Sequence, residues 1–342
     1  AVIKPTLGMF GFSLAFALPF TLLAIFPSWL KKLPKSGGWL NSVKVVLGFV
    51  ILAFAFKFLS IINETYHWGI LSRDFYLAIW IVIFFLLGLY FLGKIKFAND
   101  SDVPYVSFPR LVLAIFSFAF AVYMVPGLFG APLKTIAPLL PSETSQQFDL
   151  RGSASGAVGV SATAATESPT FCEPAKYSDF LNLPYNLKGY FDYEQGMECA
   201  RELNKPVFID FEGHACSNCK QMKAQVWSDP RVQQILREEY IVISLYVDDR
   251  TKLPEEDWVT SKYDGKVKKT LGKKNLDLQI TKFNSNTQPF YVLLDTQGNL
   301  LTEPYGFNLN ADRYVEFLKK GLAEFEEGNY KNQRKSVLIC LG

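Results

Sequence analysis

Charge is missing from the front of this chain. No Asp, Glu, Lys or Arg falls between Lys4 and Lys31, a run of about 26 residues, long enough to cross a bilayer. Acidic residues are missing from each of the later apolar runs as well, which argues against an ion pathway, since intramembrane carboxylates usually mark one. Net charge is small: 35 Lys and Arg against 32 Asp and Glu leave +3 over 342 residues, too little for a nucleic-acid surface. Histidine is nearly absent, with two residues, and cysteine is sparse, with five. A single Cys-x-x-Cys without a second one or a histidine pair beside it offers too few ligands, so no metal is expected. The chain opens Ala1-Val2-Ile3-Lys4, without methionine or a charged signal-peptide start, and reads as a fragment.

What is present divides into two unlike halves. Residues 1–139 read as a transmembrane domain of four helices, at about 6–30, 40–62, 75–93 and 111–132. Pro19 is an expected kink, and Pro126-Gly127 a kink or the exit from the fourth span. Lys44 and Lys57 flank the apolar centre of the second span, and snorkelling to the interface is the expectation for both. Lys31, Lys32 and Lys35 lie between spans one and two, and Lys94, Lys96 and Arg110 between three and four. The positive-inside rule puts those loops in the cytoplasm and everything after the fourth span outside it. Residues 140–175, rich in Ser, Ala, Gly and Thr, read as a flexible linker.

Residues 176–328 read as an α/β domain. A helix around Tyr193 to Leu203 precedes a buried strand, Pro206 to Phe211. Helical spacing then follows through Met222 and Val226, with Asp229-Pro230 capping and opening another helix. Ile241 to Val247 is a second strand. Asp248 to about Lys269 is a charged, irregular insertion, and Leu271 to Phe283 a further helix. Phe290 to Leu294 and Leu300 to Pro304 form an expected hairpin around Asp295-Thr296-Gln297-Gly298, and Arg313 to Phe325 a closing helix. Residues 329–342 read as a tail, apolar from Ser336 to Gly342, that carries Cys340. Cys172 reads as incidental and Cys199 as a small buried residue.

The chemistry concentrates at Asp210-Phe211-Glu212-Gly213-His214-Ala215-Cys216-Ser217-Asn218-Cys219-Lys220. Two thiols sit where a strand hands over to a helix, three residues apart and within reach of one disulfide ring. Unpaired backbone N–H groups at a helix N-terminus favour thiolate, the reactive form. Cys216 is therefore the expected attacking thiol and Cys219 the resolving one, a redox-active pair that needs no other cofactor. Lys220 and Lys223 would favour thiolate or else lie on a solvated helix face. His214 reads as a surface residue or as one that tunes the site, and Ser217 and Asn218 as residues that tune the potential.

The order of elements around this motif is thioredoxin-like, and Lys205 to Lys220 with Thr287 to Asp295 resemble the thioredoxin superfamily. Leu33-Pro34-Lys35-Ser36-Gly37-Gly38-Trp39, then Val43-Lys44 and Gly48-Phe49-Val50-Ile51-Leu52-Ala53, resemble the membrane domain of the thiol:disulfide interchange protein DsbD family. Trp227-Ser228-Asp229-Pro230-Arg231-Val232 continues the likeness. The resemblance implies an α-helical transmembrane bundle followed by a thioredoxin-like domain. It implies a multi-pass protein of the bacterial inner membrane with that domain in the periplasm. The family's membrane domain has eight spans with cysteines in the first and fourth; the four spans here resemble the last four, and neither membrane cysteine is present.

The implied function is protein-disulfide reduction. Electrons would pass from cytoplasmic thioredoxin to the membrane cysteine pair, then to Cys216 and Cys219, then to extracytoplasmic thiol/disulfide proteins, supporting cytochrome c maturation and disulfide isomerisation. The lipid bilayer is a partner; nucleic acid is not. Asp210 matches the buried acid that accepts a proton from the second cysteine, and Pro289 the cis-proline that faces the disulfide. Three positions depart from the pattern: Ala215 where tryptophan is usual, Gln288 where Thr or Val is common, and Lys223 where some relatives carry an acid. The alternatives are a tethered oxidase or isomerase, and a non-enzymatic metal-binding membrane protein.

Overall fold

The computed structural model describes residues 3–25, 38–98, 100, 102–148 and 172–340. Lys31, Lys32 and Lys35, the phrase Leu33 to Gly37, the end of the first expected span and the Ser/Ala/Thr-rich stretch 149–171 lie outside them. Four apolar helices come first: α1 (Ile3–Ile25), α2 (Gly38–Thr65), α3 (Arg73–Phe91) and α4 (Phe108–Met124). Among the described residues, three are long and apolar enough to cross a membrane: Leu40–Thr65, Arg73–Phe91 and Phe108–Phe129. In the first expected span only Thr6–Ala15 is described as a shorter apolar helix, so the count of four goes one beyond the described residues. Helix α4 stops short of the expected 132, because Pro126 and Gly127 turn the chain through a 3-10 segment, Val125–Phe129, closed by Gly130 at φ 95°.

The chain forms two compact units, Ala1–Ile51 with Leu86–Ile115, and Leu52–Phe85 with Phe116–Gly342. In the first, Asp100 gathers the helix ends. Its carboxylate accepts from Asn41 Nδ2 at 2.6 Å, Tyr90 Oη at 3.1 Å and the Phe97 N–H at 2.8 Å.

In the second unit the C-terminal end of α2 and the N-terminal end of α3 gather the segment that follows α4. Arg73, 2% exposed, donates to the carbonyls of Pro141 and Pro132 at 2.5 and 3.2 Å. Tyr76 donates to the Leu139 carbonyl at 3.0 Å, and the Ser142 N–H to Glu64. Gln146 reaches the Leu128 carbonyl at 3.0 Å, and the Gln147 N–H reaches Asp74 at 3.3 Å. Residues 140–148 are thus ordered against the helices, not the start of a free linker. The physical reason is that buried charged groups at the helix ends need partners, and this segment's backbone supplies them.

The α/β domain has a three-stranded sheet in the order β2–β1–β5, formed by β1 (Val207–Glu212), β2 (Ile241–Tyr246) and β5 (Phe290–Leu294). Strand β1 runs parallel to β2, with Val207 opposite Ile241, and antiparallel to β5, with Val207 opposite Leu294. Every β1 residue is buried, as expected of a central strand covered on both faces. Phe208 packs on one face with Met222, Trp227 and Tyr291, while Ile209 and Phe211 face the other cluster with Met197 and Ala200.

Around the sheet lie α5 (Tyr193–Leu203), α6 (Ser217–Met222) running into a π-helical turn, Lys223–Trp227, then α7 (Pro230–Glu238), α8 (Leu271–Phe283) and α9 (Ala311–Cys340). Asp229 caps α7 by accepting the Arg231 N–H at 2.9 Å, with Pro230 in the first turn.

Four expectations change here. The strand at Leu300 to Pro304 reduces to bridges from Leu300 to Leu294 and Tyr305 to Tyr291, since Pro304 has no N–H for a ladder. The insertion 248–269 holds a turn, Glu255–Asp257, and a two-residue hairpin, β3 (Val259–Thr260) with β4 (Val267–Lys268). The tail is helical as far as Cys340, there being no proline or glycine between Gly328 and Gly342 to stop it. Cys172 is not incidental: it forms a disulfide with Cys199, at the start of the domain and on α5.

That bond closes a 27-residue separation, for which chain entropy predicts about 3 to 4 kcal/mol of stabilisation. Replacing both residues with serine is expected to lower the urea midpoint accordingly at an unchanged slope. An unchanged midpoint would show that the bond contributes nothing.

Candidate functional site

Strand β1 delivers the chain to the cysteine loop through Gly213. A Cβ there would stand 2.8 Å from Asp248 Oδ2, so only glycine leaves room for that carboxylate. Asp248 in turn holds the loop: its oxygens accept the N–H groups of His214 at 2.8 Å and Ala215 at 2.9 Å. Cys216 then caps α6, its Sγ accepting the Cys219 N–H at 3.1 Å. The two cysteines are disulfide-bonded, with Cα atoms 5.3 Å apart. Cys216 is half-buried and Cys219 is buried. An exposed sulfur at a helix N-terminus beside a shielded one is the asymmetry that separates an attacking from a resolving thiol. Pro289, buried, follows a cis peptide bond from Gln288.

Between β1 and the turn that follows α6 lies a buried charged cluster. Asp210 and Glu212 are two apart on β1 and so share the face that carries Phe208. Lys223, one turn beyond Cys219, bonds to Glu212 and stands 3.5 Å from Asp210 Oδ2. Glu212 also accepts the Ser244 hydroxyl at 2.5 Å. Asp210 is fully buried, and among the described residues neither of its oxygens accepts a hydrogen bond. Burial first, and Glu212 second, push its carboxyl up to about 8 against the pull of Lys223. Burial works to lower Lys223, but Glu212 and Asp210 outweigh it and hold the ammonium above its ordinary range. Lys223 is 7% exposed; the solvated-face alternative fails because the two carboxylates hold it inside.

The segment after α4 lies against α6. Ser217 donates to the Pro138 carbonyl at 3.2 Å and Gln225 to the Lys134 carbonyl at 3.1 Å. Lys220 pairs with Glu64 at 2.8 Å, both largely buried. Lys57 does not snorkel; its Nζ donates to the Pro138 carbonyl at 2.5 Å. Asn218 is exposed. Gln288 donates to Gln279 at 2.9 Å, on the cis-proline side.

His214 is not a surface residue. It is 7% exposed, its ring stacked on Tyr246 with centroids 4.3 Å apart and its Nε2 3.1 Å from Asp249 Oδ2. The other histidine, His67, reaches the same oxygen at 2.7 Å. Burial would raise the Asp249 carboxyl, but bonds from His214, His67 and Thr251 hold it well below the usual range.

Cys216 is joined to Cys219 and Lys223 to Asp210 and Glu212; Pro289 follows the cis bond from Gln288, and Asn218 is exposed. Sequence reasoning missed Glu212, Ser244, Asp248, Asp249 and His67. Glu212 was readable in principle, since strand period places it beside Asp210.

A family model described as a thioredoxin-like domain matches residues 193–322. The thiol:disulfide interchange protein DsbD of Salmonella typhi is 30% identical over 229 residues, 67% of this chain and 30% of that protein. DsbD of Vibrio vulnificus is 22% identical over 231 residues, 68% of this chain and 30% of that protein. The chain therefore spans about a third of the length of the curated relatives it matches. Among solved structures, the reduced C-terminal domain of Neisseria meningitidis DsbD is 20% identical, covers 37% of this chain and 92% of its own, and has a TM-score of 0.27.

Proposed function

The chain belongs to the DsbD family of thiol:disulfide interchange proteins, and from that premise we propose that it is a membrane-anchored protein-disulfide reductase whose thioredoxin-like domain works in the periplasm. The observation that carries this reading is the Cys216–Cys219 disulfide at the start of α6, half-exposed at Cys216 and buried at Cys219.

In the reduced pair, the Cys216 thiolate attacks one sulfur of a partner disulfide. A mixed disulfide forms and the partner's other sulfur leaves as thiolate. Cys219 then gives its proton to Asp210 and attacks Cys216 Sγ, which frees the partner's second thiol and closes the Cys216–Cys219 bond. Two electrons have then passed to the partner, and its two sulfurs, each released as thiolate, take up one proton returned by Asp210 and one from solvent. An acid held near neutral pH can both take and return that proton. Re-reduction needs a donor dithiol; in the full-length family that is a membrane-domain pair fed by cytoplasmic thioredoxin. Extracytoplasmic thiol proteins, including those serving cytochrome c maturation and disulfide isomerisation, are the acceptors in this reading.

The reduction potential tests the direction. The full chain in detergent is equilibrated with glutathione buffers, trapped by alkylation and mapped at the peptide bearing Cys216 and Cys219. A value between about −270 and −200 mV is expected for a donor. A value near about −120 mV would mark an oxidant and overturn the proposal.

A further inference from the structure

The chain's only two histidines meet at one carboxylate. His67 lies in the turn after α2, 182 residues from Asp249 in sequence, and His214 lies 35 residues from it, two before Cys216. Both rings present the same nitrogen, Nε2, to the same oxygen, Asp249 Oδ2, and the three ligand atoms lie within 4.8 Å of one another. The other carboxylate oxygen is engaged by the Thr251 N–H at 2.8 Å, which fixes the orientation of Oδ2.

The surroundings are built to hold the rings still. His214 is stacked on Tyr246, and His67 lies against Phe180 with centroids 4.4 Å apart. His67 itself has a φ of 54°, and Gly69 one of 68°. The turn is thus wound through left-handed backbone that a non-glycine residue adopts at a cost, a conformation concentrated at ligand sites. The Arg250 N–H donates to the Thr65 carbonyl at 3.2 Å, which fastens that turn to the Asp249 segment.

The separations suit a small tetrahedral ion. Bonds of about 2.0 to 2.1 Å at the tetrahedral angle put neighbouring ligand atoms roughly 3.3 Å apart. Here the nitrogen–oxygen separations are 2.7 and 3.1 Å and no ligand atom is more than 4.8 Å from another, so side-chain rotations of the size that binding commonly brings would place all three around one ion. Two imidazoles and a carboxylate are donors that zinc accepts, and three protein ligands leave a fourth position. A cavity of about 330 Å³ adjoins both rings, lined also by Asn63, Ser145 and Asn182; it gives an entry path and room for a water ligand.

We propose that His67 Nε2, His214 Nε2 and the Asp249 carboxylate bind a zinc ion. Bound there, zinc ties the turn after α2 to the loop that carries Cys216. This goes beyond the redox reading and does not rest on it.

Zinc chloride is titrated calorimetrically into the full chain in detergent, with both disulfides oxidised and Cys340→Ser removing the remaining thiol. One equivalent is expected, weakened at least 100-fold by His67→Ala and by Asp249→Asn. Cobalt(II) should give the intense visible absorption of a tetrahedral site. His67→Cys, which restores a ligand, should recover stoichiometric binding with a sulfur-to-cobalt charge-transfer band and so separates ligand loss from misfolding. Absence of binding in the parent chain, binding unchanged by His67→Ala, or the pale spectrum of octahedral cobalt would each overturn the proposal.

Discussion

Cys216→Ser should abolish disulfide exchange, lowering the rate of insulin-disulfide reduction under dithiothreitol by at least about 10³-fold, the scale on which losing a covalent nucleophile acts. Cys216 is the half-buried cysteine of the pair, and its Sγ already receives the Cys219 N–H at 3.1 Å. That geometry stabilises negative charge on sulfur. A serine hydroxyl in the same place stays protonated at any pH the protein survives and cannot form a mixed disulfide. Cys219→Ser should behave differently: the first step survives, resolution does not, and a covalent adduct with the partner accumulates. Turnover retained by Cys216→Ser, or adduct absent from Cys219→Ser, would remove these residues from the assigned roles.

Lys223→Met should cost about 3 to 5 kcal/mol at pH 8, the range for removing one partner from a buried ion pair. The lysine is the cation that faces both Asp210 and Glu212, and without it two carboxylates share one strand face in a dry interior. The loss should depend on pH in a defined sense. The Asp210 carboxyl is held near 8 in the folded state against 3.8 for the free group, so between those values the folded chain binds more protons than the unfolded one. Stability contributed at this site therefore falls as pH rises through the window. Removing Lys223 raises the folded Asp210 carboxyl further, so the deficit should be smallest near pH 4 to 5 and grow toward pH 8. Asp210→Asn on the Lys223→Met background should recover part of it. A urea series across that range would show it; equal losses at pH 5 and pH 8 would mean that charge is not the cause.

The parts of this molecule written locally were legible in the sequence. The strand Val207 to Phe211, the cysteine spacing and the Asp229-Pro230 cap depend on near neighbours, and period and turn chemistry expose them. What depended on distant partners was not legible. Lys223 reads as a surface lysine until β1 is folded beneath it. His214 reads as exposed because its carboxylate is 35 residues away, and His67 carries no signal because its partner is 182 residues away. The bond between Cys172 and Cys199 fails the same way, since their spacing matches no motif. The weak strand at Leu300 to Pro304 is the opposite case: alternation and a turn suggested pairing, and a missing N–H at Pro304 limited it to bridges.

The Cys172–Cys199 bond also sets a mechanical limit. It fastens the chain to α5 at Cys172, while Gln146 and Gln147 are fastened to the membrane helices at the other end. Whatever path the residues between Phe148 and Cys172 take, their covalent contour reaches at most about 80 Å. The redox domain is therefore a tool on a leash of fixed length. The domain cannot part from the end of α4 by more than that length, whichever of the contacts between them open.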